Sequence, residues 1–370
     1  MPNKRSRLVS VLGQVITLSF CWLASAFGQS GPDAALAREL LQKAELRAGL
    51  VLHLGCGQKD TPGLTAALAE SPSIFVHGLA LDDAACARAR KAIEAAGVTG
   101  RAMVECVPLN SLPYLSDLAN LVVVEDPAAL TKLGVTRKEL LRVLAPRGSL
   151  LIHERGMLTG KKWTRTVKPR PKAMDDWTHP QHGPDMNMVS SDRLVKFPLG
   201  FRWLDGLPVN VNRWAACRGW IVANGRVFTL SSTELDNLRP NQPKTHYLAA
   251  RDAWNGLPLW RVNCETTDDG SYLTWQNAGP LVADDRRVYV VKKDKTIAVD
   301  AATGDIAFTC PNRYAPVRLL LLDGILVASC WESRDFSRAP FDRFDKEKDT
   351  ASLWATWIPK ASVGCVEAYD

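Results

Sequence analysis

The sequence lacks the patterns that usually hold a metal ion. Its nine cysteines include no C-x-x-C pair, and its six histidines include no pair at the spacing of a standard metal motif. A zinc site therefore has little support. The stretch DDWTHPQHGPD at 175–185 gathers two histidines among carboxylates, but its spacing also suits no standard motif. We predict a proline-rich entry loop there, whose polar groups are satisfied by hydrogen bonds.

Long apolar runs are equally scarce. The clearest one, at 8–24, follows basic residues at 4, 5 and 7 and ends in Ala24-Ser25-Ala26, the small-x-small pattern of a cleavage site. The run is short and contains polar positions, which is typical of a secretory signal peptide and not of a membrane span. We predict a signal peptide at 1–26, an extracytoplasmic mature chain in the periplasm or secreted, and no transmembrane segment after cleavage.

The chain also has little excess charge, with a formal net charge of +7. The densest basic stretch, KKWTRTVKPRPK at 161–172, holds six Lys or Arg in twelve residues. No paired aromatics or second basic face accompany it, so the pattern favours a solvated linker over a nucleic-acid site. We predict a basic linker at 156–175 and no nucleic-acid partner.

The sequence does contain a regular alternation of strand and helix patterns at 35–155. A helix that Asp82 caps is expected to run to Ala96, with Gly97 as its stop. Strands are predicted at 51–54, 74–81, 121–125 and 149–153, and further helices at 33–48, 65–70 and 137–144. This alternation predicts an α/β Rossmann-like domain with a doubly wound parallel sheet.

Three stretches of this domain resemble the class I S-adenosylmethionine-dependent methyltransferase family: VLHLGCG at 51–57, VHGLALD at 76–82 and ELLRVLAPRGSLLI at 139–152. The resemblance covers about a third of the chain. It implies S-adenosylmethionine as a cofactor, cradled by Gly55, Cys56 and Gly57. Asp82 is the candidate for binding the ribose, provided that the second strand extends that far.

The same residues depart from the family's pattern at several positions. His53 stands where the family usually has an acid, Lys59 where a third loop glycine is expected, and Ala80 where the ribose-binding acid is expected. Asn120 stands where an acid is common in the third strand's motif. A signal peptide would also carry the chain away from the cytosolic methyl donor. We therefore expect a degenerate domain that is kept for structure or for binding something else.

The pattern changes to an all-β one at 176–370. Hairpins are predicted at 219–230, 280–291 and 319–329, with turns at Asn224-Gly225, Asp284-Asp285 and Asp323-Gly324. Beside the hairpins, two segments, at 248–260 and 296–308, superimpose without a gap.

The repeated segments pair Asp252 with Asp300 and Trp260 with Phe308, at an interval of 48 residues. The interval is close to that of one four-stranded propeller blade. Each Asp is expected to stabilise its turn, so neither is assigned a catalytic role. Each aromatic is expected to pack between neighbouring sheets.

These segments resemble the pyrroloquinoline-quinone-type β-propeller family, whose blades carry the A-x-D-A-x-T-G-x-x-x-W signature. The segment DWTHPQHGPDMNMVSSDRL at 176–194 resembles one that precedes many such propellers. The chain ends on VEAYD at 366–370, the opening of a further motif, after about three blades. The fold expected here is an incomplete β-propeller in a truncated chain. The whole combination resembles large secreted proteins of planctomycete-type bacteria.

The function expected from these features is that of a secreted, non-catalytic binding or scaffold protein, with a protein or cell-envelope partner. One alternative is a quinone-dependent oxidoreductase, if further blades complete the ring. Its resemblance implies pyrroloquinoline quinone as a cofactor, but no calcium-ligating or catalytic residue can be matched. The second alternative is an S-adenosylmethionine-dependent methyltransferase. No catalytic residue and no metal ligand are assigned.

Overall fold

The computed structural model describes residues 31–107, 111–154, 162–196, 202–203, 217–232, 246–264, 281–292, 295–313, 315–331 and 363–369. The predicted signal peptide at 1–26 lies outside the described residues, as does the terminal Asp370. Among the helices that are described, none has both the length and the apolar character needed to cross a membrane.

The first part of the chain folds as one sheet flanked by helices. The helices are α1 (Pro32–Ala44), α2 (Leu64–Leu68), α3 (Asp83–Ala95), α4 (Pro127–Lys132) and α5 (Arg137–Val143). The strands are β1 (Gly49–Cys56), β2 (Ile74–Ala80), β3 (Ala102–Cys106), β4 (Ala119–Val124), β5 (Leu144–Glu154) and β6 (Lys162–Val167). Their order is β3-β2-β1-β4-β5-β6, parallel throughout except that β6 pairs antiparallel with β5. This is the doubly wound, Rossmann-like arrangement that the sequence predicts.

Helices on both faces explain the nearly continuous apolar character of the central strands. Successive side chains of β1 point to opposite faces. Val51 packs with Leu40 of α1 in one buried cluster. Leu52 packs with Leu140 of α5 in the other.

The predicted basic linker is wrong at 162–167, because these residues form β6. Trp163 is buried at 4% exposure, and two basic side chains of this stretch make ion pairs. Arg165 pairs with Glu45 at 2.8 Å, and Lys168, just after the strand, pairs with Asp117 at 2.6 Å. The ion pairs of these basic residues therefore stabilise β6 at the edge of the sheet.

The second part of the chain forms three antiparallel sheets. The first contains β7 (Cys217–Ala223), β8 (Arg226–Ser232), β9 (His246–Asp252) and β10 (Pro258–Cys264). The second contains β11 (Leu281–Ala283), β12 (Arg287–Lys292), β13 (Lys295–Asp300) and β14 (Ile306–Pro311). The third contains β15 (Ala315–Leu322), β16 (Ile325–Trp331) and β17 (Val363–Tyr369). The three predicted hairpins are confirmed as β7–β8, β11–β12 and β15–β16.

The predicted aromatic packing between sheets is also confirmed for Trp260. Its Nε1 donates to Ala301 O at 3.0 Å, and its ring lies 2.8 Å from where a Cβ on Gly304 would stand. Trp203, which the sequence analysis did not identify, makes the equivalent contacts one repeat earlier. Its Nε1 donates to Ala253 O at 3.2 Å, and its ring covers Gly256.

A short segment at 177–179 crosses the first strand of all three sheets. Trp177 exchanges two 2.8 Å backbone hydrogen bonds with Val222 of β7, and Thr178 O accepts from Ala283 N of β11 at 3.0 Å. His179 Nε2 accepts from Leu321 N of β15 at 3.0 Å. The segment therefore holds the three sheets side by side at their first strands.

Candidate functional site

The strand order places a crevice between β1 and β4. The chain leaves β1 towards β2 on one side, whereas β4 continues towards β5 on the other, so the order reverses between them. Open α/β sheets bind ligands outside the carboxyl ends of their strands at such a point. The glycine loop, residues 55–57, lies at the end of β1 there, and Glu125 directly follows β4.

The glycine loop is packed against the protein's own helix. Gly57 has a φ of +75°, and a Cβ at this position would lie 2.1 Å from Ala85 O in the first turn of α3. Arg88 Nε donates to Gly57 O at 2.9 Å, and Gln58 Nε2 donates to Gly55 O at 2.7 Å. Gly57 therefore allows close helix packing, and α3 already occupies one face of the loop.

Cys56 lies between these glycines but is not a reactive thiol. Its side chain is buried, and burial raises its pKa to about 12, against an opposing hydrogen bond from Thr65. Because the thiolate is the nucleophilic form, the protonated thiol is inert at neutral pH. Cys56 acts as a small core side chain.

Asp82 serves α3 and does not extend the second strand. Strand β2 ends at Ala80, which is buried, and Asp82 is the N-cap of the helix that follows. Its Oδ1 accepts a hydrogen bond from Ala85 N at 2.7 Å. The predicted cap is confirmed. The condition under which Asp82 would replace the missing ribose-binding acid is not met.

A buried polar network lies at the carboxyl ends of β1 and β4. His53 Nε2 lies 2.8 Å from Glu125 Oε1, and His53 Nδ1 lies 2.9 Å from Thr65 Oγ1. Thr61 donates its hydroxyl to Glu125 Oε2. All four residues are at most 8% exposed. Both oxygens of the Glu125 carboxylate are therefore hydrogen-bonded within the protein.

The sequence analysis identified His53 only as a departure from the family pattern and missed its partner. The available signal was Glu125 itself, the first of two acids directly after an apolar strand. Its distance of 72 positions from His53 gave no local indication that the two side chains meet.

The residues that surround this crevice include no acid at the end of β2 for the ribose of S-adenosylmethionine. Ala80 provides no acid for the ribose, and Asp82 is engaged in the helix cap. The side of Gly57 on which a Cβ would stand is filled by α3. Lys59 is exposed in the loop. No cofactor-dependent step is derived for this domain.

The histidine-containing loop at 175–185 bonds partly within itself and partly to the three antiparallel sheets, and His182 Nδ1 is buried without a partner among the described residues. His182 Nε2 lies 2.7 Å from Asp175 Oδ2. Burial alone would raise the pKa of Asp175, but hydrogen bonds from Ser191 N, His182 and Ser190 hold it well below its usual range. His179 is 2% exposed, and burial lowers its pKa to about 4. Over the described residues, no group of three or more potential metal ligands is found.

The predicted turn role of the repeated aspartates is confirmed. Asp252 Oδ1 accepts from Trp254 N at 2.8 Å and from Asn255 N at 3.0 Å. Asp300 Oδ1 makes the matching contacts with the N–H groups two and three positions later. Burial raises the pKa of Asp252, against the hydrogen bond that it receives from Asn120.

Comparison with known proteins adds a partial likeness to solved structures. No protein family model matches the chain, and no curated protein matches it. An RNA methyltransferase from Salinibacter ruber has 20% identity over 39% of this chain and 97% of its own, with a TM-score of 0.31. A putative S-adenosyl-L-methionine-dependent methyltransferase from Methanococcus maripaludis has 23% identity over 32% of this chain and 54% of its own, with a TM-score of 0.27. The [4+2]-cyclase SpnF has 23% identity over 33% of this chain and 44% of its own, with a TM-score of 0.29.

The chain thus spans about half the length of the last two of these proteins. With TM-scores this low, the likenesses carry no argument about activity. The strand order of the first sheet is the ground for its Rossmann-like assignment.

Proposed function

We propose that the protein is a non-catalytic binding or scaffold protein. The observation that carries this proposal is that the polar groups beside the crevice of the Rossmann-like domain bond to one another. Helix α3 occupies one face of Gly57, and the carboxylate of Glu125 is bonded to His53 and Thr61. A domain whose polar groups bond to one another is suited to a structural role.

The second region fits the same role as a set of β-propeller blades. Trp203 and Trp260 dock on successive turns, and the 177–179 segment joins the first strands of the three sheets. Repeated sheets of this kind present broad surfaces to partners. A protein or cell-envelope component is the proposed partner. No described residue supports the alternative of a quinone-dependent oxidoreductase.

The proposed site of action is outside the cytoplasm, on the ground of the pattern at 1–26. N-terminal sequencing of the protein recovered from a periplasmic or culture fraction should begin at Phe27, directly after Ala24-Ser25-Ala26. Recovery of the uncleaved chain in the cytosol would contradict export.

Methyl transfer is the competing function, because the strand order is the one on which methyltransferases are built. Isothermal calorimetry of the protein lacking residues 1–26 decides between the two. We expect no heat with S-adenosylmethionine at millimolar concentration. Saturable heat that Asp82→Asn abolishes would reject the proposal, because it would make Asp82 a ribose ligand.

A further inference from the structure

A cavity of about 230 Å³ lies where the first sheet meets the second region. It is at the amino ends of β1, β4 and β5, the opposite end from the crevice. The β7–β8 turn and the turn after β9 close its other side. Its lining includes Arg47, Asn120, Arg147, Arg226, Asp252 and Trp254.

Three arginines from separate parts of the chain converge on this cavity. Arg47 precedes β1, Arg147 lies near the start of β5, and Arg226 begins β8. Within the described ranges, neither Arg47 nor Arg226 has a carboxylate at ion-pair distance. Arg147 reaches only Asp285, at 3.6 Å. Guanidinium groups stay charged in proteins, so three positive charges line the cavity, with the carboxylates of Asp252, Asp285 and Asp300 near Arg226 but beyond ion-pair distance.

Arg226 is the least exposed of the three arginines. Burial lowers its pKa and the nearby charge of Arg147 adds to the lowering, whereas the carboxylates of Asp252, Asp300 and Asp285 act in the opposite direction. Arg147 and Arg226 thus line the same partly desolvated place. Such an arrangement is expected where an anion is bound.

The carboxylates beside the cavity are already engaged. Asp252 accepts from Asn120 through one oxygen and from two backbone N–H groups through the other. Glu45 is exposed and pairs with Arg165 at 2.8 Å. These groups are thus held by other donors.

Arg147 also has an unusual backbone conformation. Its φ is +66°, in the left-handed region that favours glycine, although Gly148 follows directly. A hydrogen bond from Arg147 N to Lys168 O, at 2.8 Å, holds this conformation. Strained non-glycine residues of this kind cluster at binding sites.

We propose that this cavity is a binding site for a small oxyanion, held by Arg147 and Arg226 with Arg47 at its rim. Arginine presents N–H groups in a planar fork that matches the oxygens of phosphate or carboxylate. The volume equals that of roughly seven or eight water molecules at about 30 Å³ each, which suits a phosphate-sized group. The ligand is either a free anion or the terminal anionic group of a larger molecule that reaches the opening.

Calorimetric titration of the full chain with inorganic phosphate, sulfate and acetate, at constant ionic strength, tests this site. We expect saturable binding of at least one of the three. The ranking of the two tetrahedral anions against acetate will show whether phosphate-type or carboxylate-type ligands are preferred. Arg226→Gln and Arg147→Gln should each weaken binding about tenfold or more, the loss of one charge-assisted contact.

The matched control is Arg38→Gln, which makes the same charge change at an exposed position of α1. It should bind the anion as the unmodified protein does. If Arg226→Gln fails to fold, the more exposed Arg147 still provides the test. The absence of binding by all three anions, or equal weakening by Arg38→Gln, would overturn the proposal. Titration with S-adenosylmethionine concerns the other end of the strands, so failure of this site leaves the proposed function standing.

Discussion

Asn120 donates a side-chain N–H to Asp252 at 2.6 Å, across 132 positions of the sequence. Its Oδ1 accepts from Leu50 N at 2.8 Å and from Asn255 Nδ2 at 3.0 Å. One amide thus joins the first sheet to the repeat turn of the second region. An acid, which is common at this position in the family that the domain resembles, would place a second carboxylate against Asp252. An asparagine suits this interface because it supplies both a donor and an acceptor.

Asn120→Ala should lower the free energy of unfolding by about 3 kcal/mol, because it leaves the buried Asp252 carboxylate without its side-chain donor. Denaturant unfolding measures the loss. The control is Asn187→Ala, at an exposed asparagine with one local turn contact, which should cost less than about 1 kcal/mol. Equal losses in the two variants would show that the junction contributes nothing specific.

Gly57→Ala tests the close approach of the glycine loop to α3. The added Cβ would stand 2.1 Å from Ala85 O, so the helix or the loop has to move. Gly97→Ala is the matched control, because Gly97 has a similar φ of +66° but nothing within 4 Å of its Cβ position. The control isolates the backbone cost of about 1 kcal/mol, and Gly57→Ala should lose at least about 2 kcal/mol more. Similar losses would contradict the packing role of Gly57.

Local patterns explain why much of the fold was predictable from the sequence. The apolar runs of β1 and β4, the cap at Asp82 and the Asn224-Gly225 turn each depend on a few neighbouring residues. Strand β3 was missed because it is short and half-exposed, with Met103 at 56% exposure. Strand β6 was missed because the density of its basic residues favoured a linker.

The candidate site was less predictable, because its contacts join distant positions. Neither the His53–Glu125 pair nor the docking of Trp203 on Ala253 is a local pattern. The three arginines of the proposed oxyanion site likewise lie far apart in the sequence, and only the folded chain brings them to one cavity. Gly57 was assigned to a cofactor, whereas its lack of a side chain permits helix packing.

Substitutions of Glu125 test whether the buried polar network around it is structural. Glu125→Gln keeps the shape and one acceptor oxygen, and His53 can accept from the new amide in its other tautomer. We expect a loss of less than about 1 kcal/mol for this variant and about 3 kcal/mol for Glu125→Ala, which strands two buried polar groups. Thermal and denaturant unfolding measure both losses. Equal losses in the two variants would indicate that the charge itself is needed.

Trp260 and Phe308 occupy matching positions of the repeat in different surroundings. Trp260 donates to Ala301 and packs on Gly304, whereas Phe308 is 37% exposed. Trp260→Ala should therefore cost about 3 to 4 kcal/mol, and Phe308→Ala less than about 2 kcal/mol. Denaturant unfolding, monitored by circular dichroism so that the lost tryptophan does not alter the signal, gives the comparison. A larger loss at Phe308 would contradict the stabilising role of the docking of Trp260 on Ala301 and Gly304.

His179 should make the second region sensitive to acid. Burial lowers its folded-state pKa from the ordinary value of 6.5 to about 4, so the folded protein disfavours the charged ring. Its stabilising contribution is therefore complete above pH 6.5 and is lost as the pH falls towards 4, by about 3 kcal/mol in all. His179→Gln removes the titration but keeps an oxygen that can accept from Leu321 N. Unfolding free energies of both proteins at pH 7.5 and pH 4.5 should show a smaller acid-induced loss in the variant. Groups common to the two proteins cancel in that difference, so equal losses would mean that His179 is already charged in the folded state or exposed to water.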